Sequence, residues 1–138
     1  MFEEEMDNKI YNLLISNGND PNQEYPKFVE KLYSKTEFLW KESAAGNYEH
    51  MTEKFLNEID IVIILSGLYD NNKKDIDNIV KAAQEYKIPI ILVRPHGLEE
   101  VPENLESVAT ALVGWNANCI IDTIKGSLCI DSKEQCNI

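Results

Sequence analysis

The side chains best suited to chemistry sit in two short stretches, Ser66-Gly67-Leu68-Tyr69 and Arg94-Pro95-His96-Gly97. Each follows directly on an apolar run, residues 61–65 and 89–93. A small Ser-Gly pair lets a ligand approach the backbone closely. Tyr69 offers a ring to stack on a base and a hydroxyl for a ribose, and could equally pack over a sheet edge. A third stretch, Ser16-Asn17-Gly18-Asn19-Asp20-Pro21, closes another apolar run with turn-forming residues. It is neither a dinucleotide fingerprint nor a phosphate loop, because the glycine spacing and the Lys are missing. A tight turn and a backbone surface near a ligand are both open readings of it.

Several chemistries are excluded by what is absent. A serine nucleophile needs a His base held by a carboxylate. Ser66 and His96 end neighbouring apolar runs, but no Gly-x-Ser-x-Gly elbow surrounds Ser66. His50 and His96 lack metal-ligand spacing, and Cys119, Cys129 and Cys136 form no Cys-x-x-Cys pair, so no metal site is expected. Cys119 reads as a small core hydrophobe. A response-regulator phosphoacceptor is excluded too, since the central runs end in Leu65-Ser66 and Ile15-Ser16 rather than in Asp.

The elements that must position these residues alternate along the chain. Residues 10–15 form a first strand. Tyr25, Phe28, Val29, Leu32 and Tyr33 mark one face of an amphipathic helix, with Pro26 tolerated in its first turn. Residues 37–40 read as a short second strand and residues 43–47 as a loop. Met51, Phe55, Leu56 and Ile59 mark a second helix. Residues 61–65, apolar throughout, read as a strand buried on both faces, as parallel sheets require. A helix over residues 73–87 buries Ile76, Ile79, Val80 and Ala83. Residues 88–93 form a fourth strand, residues 102–109 a short helix and residues 112–115 a fifth strand. Asn116 caps a last helix that ends before Gly126.

Five strands alternating with helices predict an α/β, three-layer doubly wound parallel sheet, flavodoxin-like, in the order 2-1-3-4-5. The switch point of that order lies between strands one and three, so residues 16–20 and 66–72 should flank one crevice. Residues 1–126 form a single domain and 127–138 a C-terminal tail, with no internal repeat.

A net charge of −11 disfavours nucleic acid and anionic membranes, which need clustered Lys and Arg. A small anionic ligand is still possible, held by backbone N–H groups at helix starts. No apolar run reaches the roughly 20 residues of a membrane span, and Met1-Phe2-Glu3-Glu4-Glu5 lacks the pattern of a signal peptide. A cytoplasmic location is expected.

Residues 11–126 resemble the TIR-like family of bacterial Thoeris-type anti-phage signalling systems. The likeness is carried by Tyr11-Asn12-Leu13-Leu14-Ile15-Ser16, Phe38-x-Trp40 with Ser43, and Leu65-x-Gly67-x-Tyr69. It continues through Pro89-Ile90-Ile91, Pro95-x-Gly97-x-Glu99, Pro102 and Val113-Gly114-Trp115-Asn116. The resemblance implies a TIR-like fold and cleavage of NAD at its nicotinamide–ribose bond. In that family a Glu on the helix after strand three holds the ribose and stabilises an oxocarbenium-like centre. Here Asp75-Ile76-Asp77-Asn78-Ile79-Val80 places Ile79 at that position. Asn17 and His96 likewise replace the family's His and Trp.

The expectation is therefore a catalytically degenerate TIR-like signalling domain. It binds an NAD-derived nucleotide through Ser16, Asn17, Asp20, Ser66, Gly67 and Tyr69, pairs with TIR-like subunits as a homo- or hetero-oligomer, or does both. It requires no cofactor, and NAD or an ADP-ribose derivative is the ligand. The alternative is an active NAD glycohydrolase or ADP-ribosyl cyclase using Asp75 or Asp77 as a displaced catalytic carboxylate. The plainer reading of that pair is helix-start carboxylates favoured by the dipole.

Overall fold

The central strand sets the architecture. Its sequence, Ile-Val-Ile-Ile-Leu, has no polar residue to turn toward water, so the sheet must be covered on both faces. All five residues are buried. The computed structural model, which describes residues 9–43, 51–95 and 100–127, is a five-stranded, all-parallel sheet in the order β2-β1-β3-β4-β5. The strands are β1 (Tyr11–Ile15), β2 (Trp40–Glu42), β3 (Ile61–Leu65), β4 (Ile90–Val93) and β5 (Ala111–Val113). The helices are α1 (Glu24–Tyr33), α2 (Glu53–Asn57), α3 (Lys73–Glu85), α4 (Glu103–Glu106) and α5 (Ala117–Ser127). This is the doubly wound, flavodoxin-like α/β fold, and its order matches the expected one.

Register aligns the strand ends that carry the loops. Ile15 pairs with Ile63, and Leu65 pairs with Val93. The core gathers Leu13, Ile15, Ile61 to Leu65, Ile76, Ile79 and Ile91 to Val93, with Phe28 and Leu32 from α1 and Ile120 and Ile124 from α5. The rings of Phe28 and Trp115 meet edge to face at 6.0 Å, which joins α1 to the β5–α5 connection.

Local chemistry explains the helix ends. Thr52 accepts a hydrogen bond from the Phe55 N–H and starts α2. Asn116 accepts one from the Cys119 N–H and starts α5, as expected. α3 closes in a Schellman motif. The Ile88 N–H donates to the Ala83 carbonyl and the Lys87 N–H to the Gln84 carbonyl, with Lys87 at φ 59°.

The structure moves several boundaries. The second strand is Trp40–Glu42, not residues 37–40, because Phe38 leaves the ladder to stack on Tyr11 at 5.4 Å. The edge strand proper is then the polar Lys41 and Glu42, which periodicity cannot reveal. The fifth strand is Ala111–Val113, and Gly126 lies inside α5. Tyr33, expected on the buried face of α1, is 67 % exposed and packs against Trp40 at the sheet edge. The buried face of α1 runs instead through Glu24, Phe28 and Leu32. Residues 66–71, expected as a loop, form a 3-10 helix. The lead-in over residues 1–8, most of the 43–47 loop, His50, His96 to Glu99 of the Pro95-x-Gly97-x-Glu99 motif, and the tail beyond residue 127 with Cys129 and Cys136 lie outside the described residues.

Candidate functional site at the sheet switch point

The sheet order reverses between β1 and β3, and the connections leaving these strands meet at their carboxyl ends. The meeting is held by one side chain. Asn72 accepts a hydrogen bond from the Asn19 N–H (2.9 Å) and donates to the carbonyls of Asn19 (2.9 Å) and Leu68 (2.8 Å). This latch spans 53 positions of sequence. Gly18, at φ 137°, lies beneath it, and a Cβ there would overlap the Asn72 amide. Any larger residue at position 18 would be strained in backbone and would break the latch.

α1 begins on the far side of the same loop. The position before its first residue, Gln23, adopts a left-handed conformation (φ 59°) and its side chain makes no cap. Asp20 does this work, accepting the N–H of Glu24 (2.9 Å) on one oxygen and that of Tyr25 (2.8 Å) on the other. Two orphan donors of the helix start are thereby satisfied by one carboxylate.

The six expected ligand-facing residues do gather at this end of the sheet, but in different roles. The Ser16 Oγ accepts the Leu65 N–H (2.9 Å), while the Ser66 Oγ donates to the Val93 carbonyl (2.6 Å). Both serines are buried and continue the ladder between strands. Asn17 accepts the N–H of Gly18 (2.8 Å). Tyr69 is buried, donates its hydroxyl to Asp77 (2.9 Å) and accepts from the Asn104 amide (2.9 Å), so it bridges α3 and α4. Burial raises the Tyr69 pKa above its ordinary 10.0; the Asn104 hydrogen bond opposes this, and the Asp77 hydrogen bond and the charges of Asp77 and Asp70 add to it.

Of the two candidate catalytic carboxylates, Asp77 is exposed and engaged by Tyr69, while Asp75 is half-buried in the first turn of α3. Ile79 is 1 % exposed, in the core.

Two site residues escaped the sequence reading. Asn72 was expected only as the last residue of a loop flanking the crevice, with no role for its side chain. Glu24 is only 3 % exposed, and its carboxylate lies against Gly67, where a Cβ would overlap both of its oxygens. A signal for Glu24 was present, because positions 24, 28 and 32 recur at i, i+4 and i+8 and put an acid in line with Phe28 and Leu32.

At the end of β4, Arg94 has its carbonyl held by the Trp115 indole N–H (2.8 Å). Among the described residues no group of three or more His, Cys, Asp or Glu could hold a metal ion, and no helix is long and apolar enough to cross a membrane. Compared with known proteins, the chain matches no family model and no curated protein.

Proposed function

We propose that this chain is a TIR-like signalling domain that binds an NAD-derived nucleotide in the β1/β3 crevice and does not cleave it by the usual TIR-like route. The observation that carries this reading is the Asn72 latch. It joins the β1–α1 and β3–α3 connections into a preformed surface of backbone and small side chains at the position where doubly wound sheets take their ligands. Preformation lowers the ordering cost of binding. Loss of cleavage is supported by Ile79, which offers no charge and is packed in the core. Pairing with a TIR-like subunit, in a cytoplasmic defence-type system, belongs to the same proposal and rests on the sequence resemblance.

Thermal unfolding with NAD, ADP-ribose and cyclic ADP-ribose tests it. A ligand that binds only the folded state raises the melting temperature. An increase with at least one of the three is expected, and no increase at millimolar ligand would overturn the proposal.

A second reading, NAD cleavage, is favoured by one observation, the Glu24 carboxylate against Gly67. In it, water adds to the ribose carbon, nicotinamide leaves with the bonding electron pair, and one proton is released with ADP-ribose. Incubation with NAD and measurement of free nicotinamide decides between the readings.

A further inference from the structure

We infer that the free edge of the sheet at β2 is an interface between two copies of this chain, which pair through it about a two-fold axis; this names a surface for the pairing in the reading above and does not involve the nucleotide. The large apolar side chains exposed among the described residues are Ile10 (56 %), Tyr33 (67 %) and Leu39 (41 %). Exposed singly, such residues mean little. These three fall in one corner of the fold. Ile10 precedes β1 and Leu39 precedes β2, and the residues that follow them, Tyr11 and Trp40, are register partners. The Tyr11 N–H donates to the Leu39 carbonyl (3.0 Å). The Tyr33 ring rests on Trp40 at 5.1 Å. Large apolar side chains gathered at one place on a surface mark an interaction site.

The backbone at this corner leads to the same partner. β2 is the end strand of the sheet and pairs only with β1 among the described residues. An open strand edge is a template for another strand. Lys41 and Glu42, both exposed, stand side by side on it with opposite charges. That order fits a second copy. In an antiparallel β2–β2 pair whose two-fold axis passes between these residues, each Lys41 faces the Glu42 of the other copy, an opposite-charge cross-strand pair. The Tyr25 hydroxyl donates to the Glu42 Oε1 (2.5 Å) and holds that carboxylate at the edge. Two chains of net charge −11 repel as wholes. Residues 9–11 and 33–42 hold Lys9, Lys35 and Lys41 against Glu37 and Glu42, so this corner does not share the excess of acid. β2 lies on the side of β1 away from β3, so the dimer does not cross the switch point between β1 and β3.

The test is sedimentation velocity of the full chain over a concentration series, with the variants Leu39→Lys, Tyr33→Ser, Lys41→Glu and Glu42→Lys. Lys81→Ala, on the exposed face of α3, is the control. Circular dichroism melts of each variant run alongside. The wild type is expected to reach twice the mass of a single chain with a Kd below roughly 1 mM. Leu39→Lys and Tyr33→Ser should each raise that Kd about tenfold or more, and Lys81→Ala should leave it within about twofold. Lys41→Glu and Glu42→Lys should each weaken self-association, because like charges then face each other across the axis. Mixed in equal amounts, those two variants should pair with each other better than either does alone.

A wild-type chain that stays monomeric at millimolar concentration would overturn this interface. If it also melts higher with a nucleotide, the nucleotide reading stands; if it does not, both fall. A dimer unchanged by folded Leu39→Lys and Tyr33→Ser would overturn the interface as well, since the copies would then meet elsewhere. If one of these two fails to fold, the other decides. No gain on mixing Lys41→Glu with Glu42→Lys would overturn the two-fold docking. So would a monomeric chain that instead binds a different TIR-like subunit through these residues.

Discussion

Helices α1 and α3 begin at the same end of the sheet and carry their acids in opposite ways. α3 has Asp75 and Asp77 near its start and turns an all-apolar face, Ile76, Ile79, Val80 and Ala83, to the core. α1 has a single acid in its first turn, Glu24, aligned with Phe28 and Leu32 on the buried face. A one-position difference in helical phase therefore separates a solvated carboxylate from a buried one. The acid buried against the β3–α3 connection therefore comes from α1, although the TIR-like resemblance directs attention to α3.

The largest effect comes from forcing α3 to resemble α1. Ile79→Glu buries an uncompensated charge in the core and should cost about 3–5 kcal/mol of unfolding free energy. Urea denaturation checks this. Recovery of NAD cleavage by a stable Ile79→Glu protein would show instead that α3 is the catalytic helix.

The next effect separates the latch from the helices. Asn72→Ala removes two hydrogen bonds between the two connections and one within the β3–α3 connection, and should cost about 1–3 kcal/mol. Amide exchange at Asn19 should rise more than exchange inside α1 or α3. Uniform protection across the loop in the variant would show that the crevice is held by something else.

Tyr69→Phe tests whether the surface acid of α3 is structural. Its loss of the Asp77 and Asn104 hydrogen bonds should cost about 1 kcal/mol at neutral pH. The sign of the pH effect follows from the raised pKa. The folded state keeps the phenol proton longer than the unfolded chain, so this contribution is complete below about pH 10 and is lost as pH climbs through the folded value. Unfolding free energies at pH 8 and pH 11 should therefore differ less in Tyr69→Phe than in the wild type.

The smallest effect contrasts the two left-handed residues at helix ends, Gln23 before α1 and Lys87 after α3. Lys87 closes a Schellman motif where Gly is favoured, so Lys87→Gly should raise stability by about 0.5–1 kcal/mol with no change in nucleotide affinity. The melting temperature and Kd of the variant check both parts. Gln23→Gly should relax strain similarly at the start of α1.

Much of the fold was legible because burial on both faces leaves a continuous apolar run, as in Ile61–Leu65, with turn residues immediately after it. The edge strand was less legible, since Lys41 and Glu42 face solvent and carry no apolar pattern. The candidate site was legible as a place but not as a set of roles. Ser16 and Ser66 were found because small residues end the strands, yet their hydroxyls are spent on the ladder.

By itself the amino-acid sequence determined the parallel sheet and its strand order, because these follow from local periodicity and short connections. Only the tertiary structure decided which polar groups meet at the carboxyl ends of the strands. Asn19 and Asn72 are 53 positions apart, and Glu24 meets Gly67 only once α1 has packed beside β3. Hydrogen bonds and buried charges depend on distances of a few ångströms between segments remote in sequence, and such distances exist only after the core has closed.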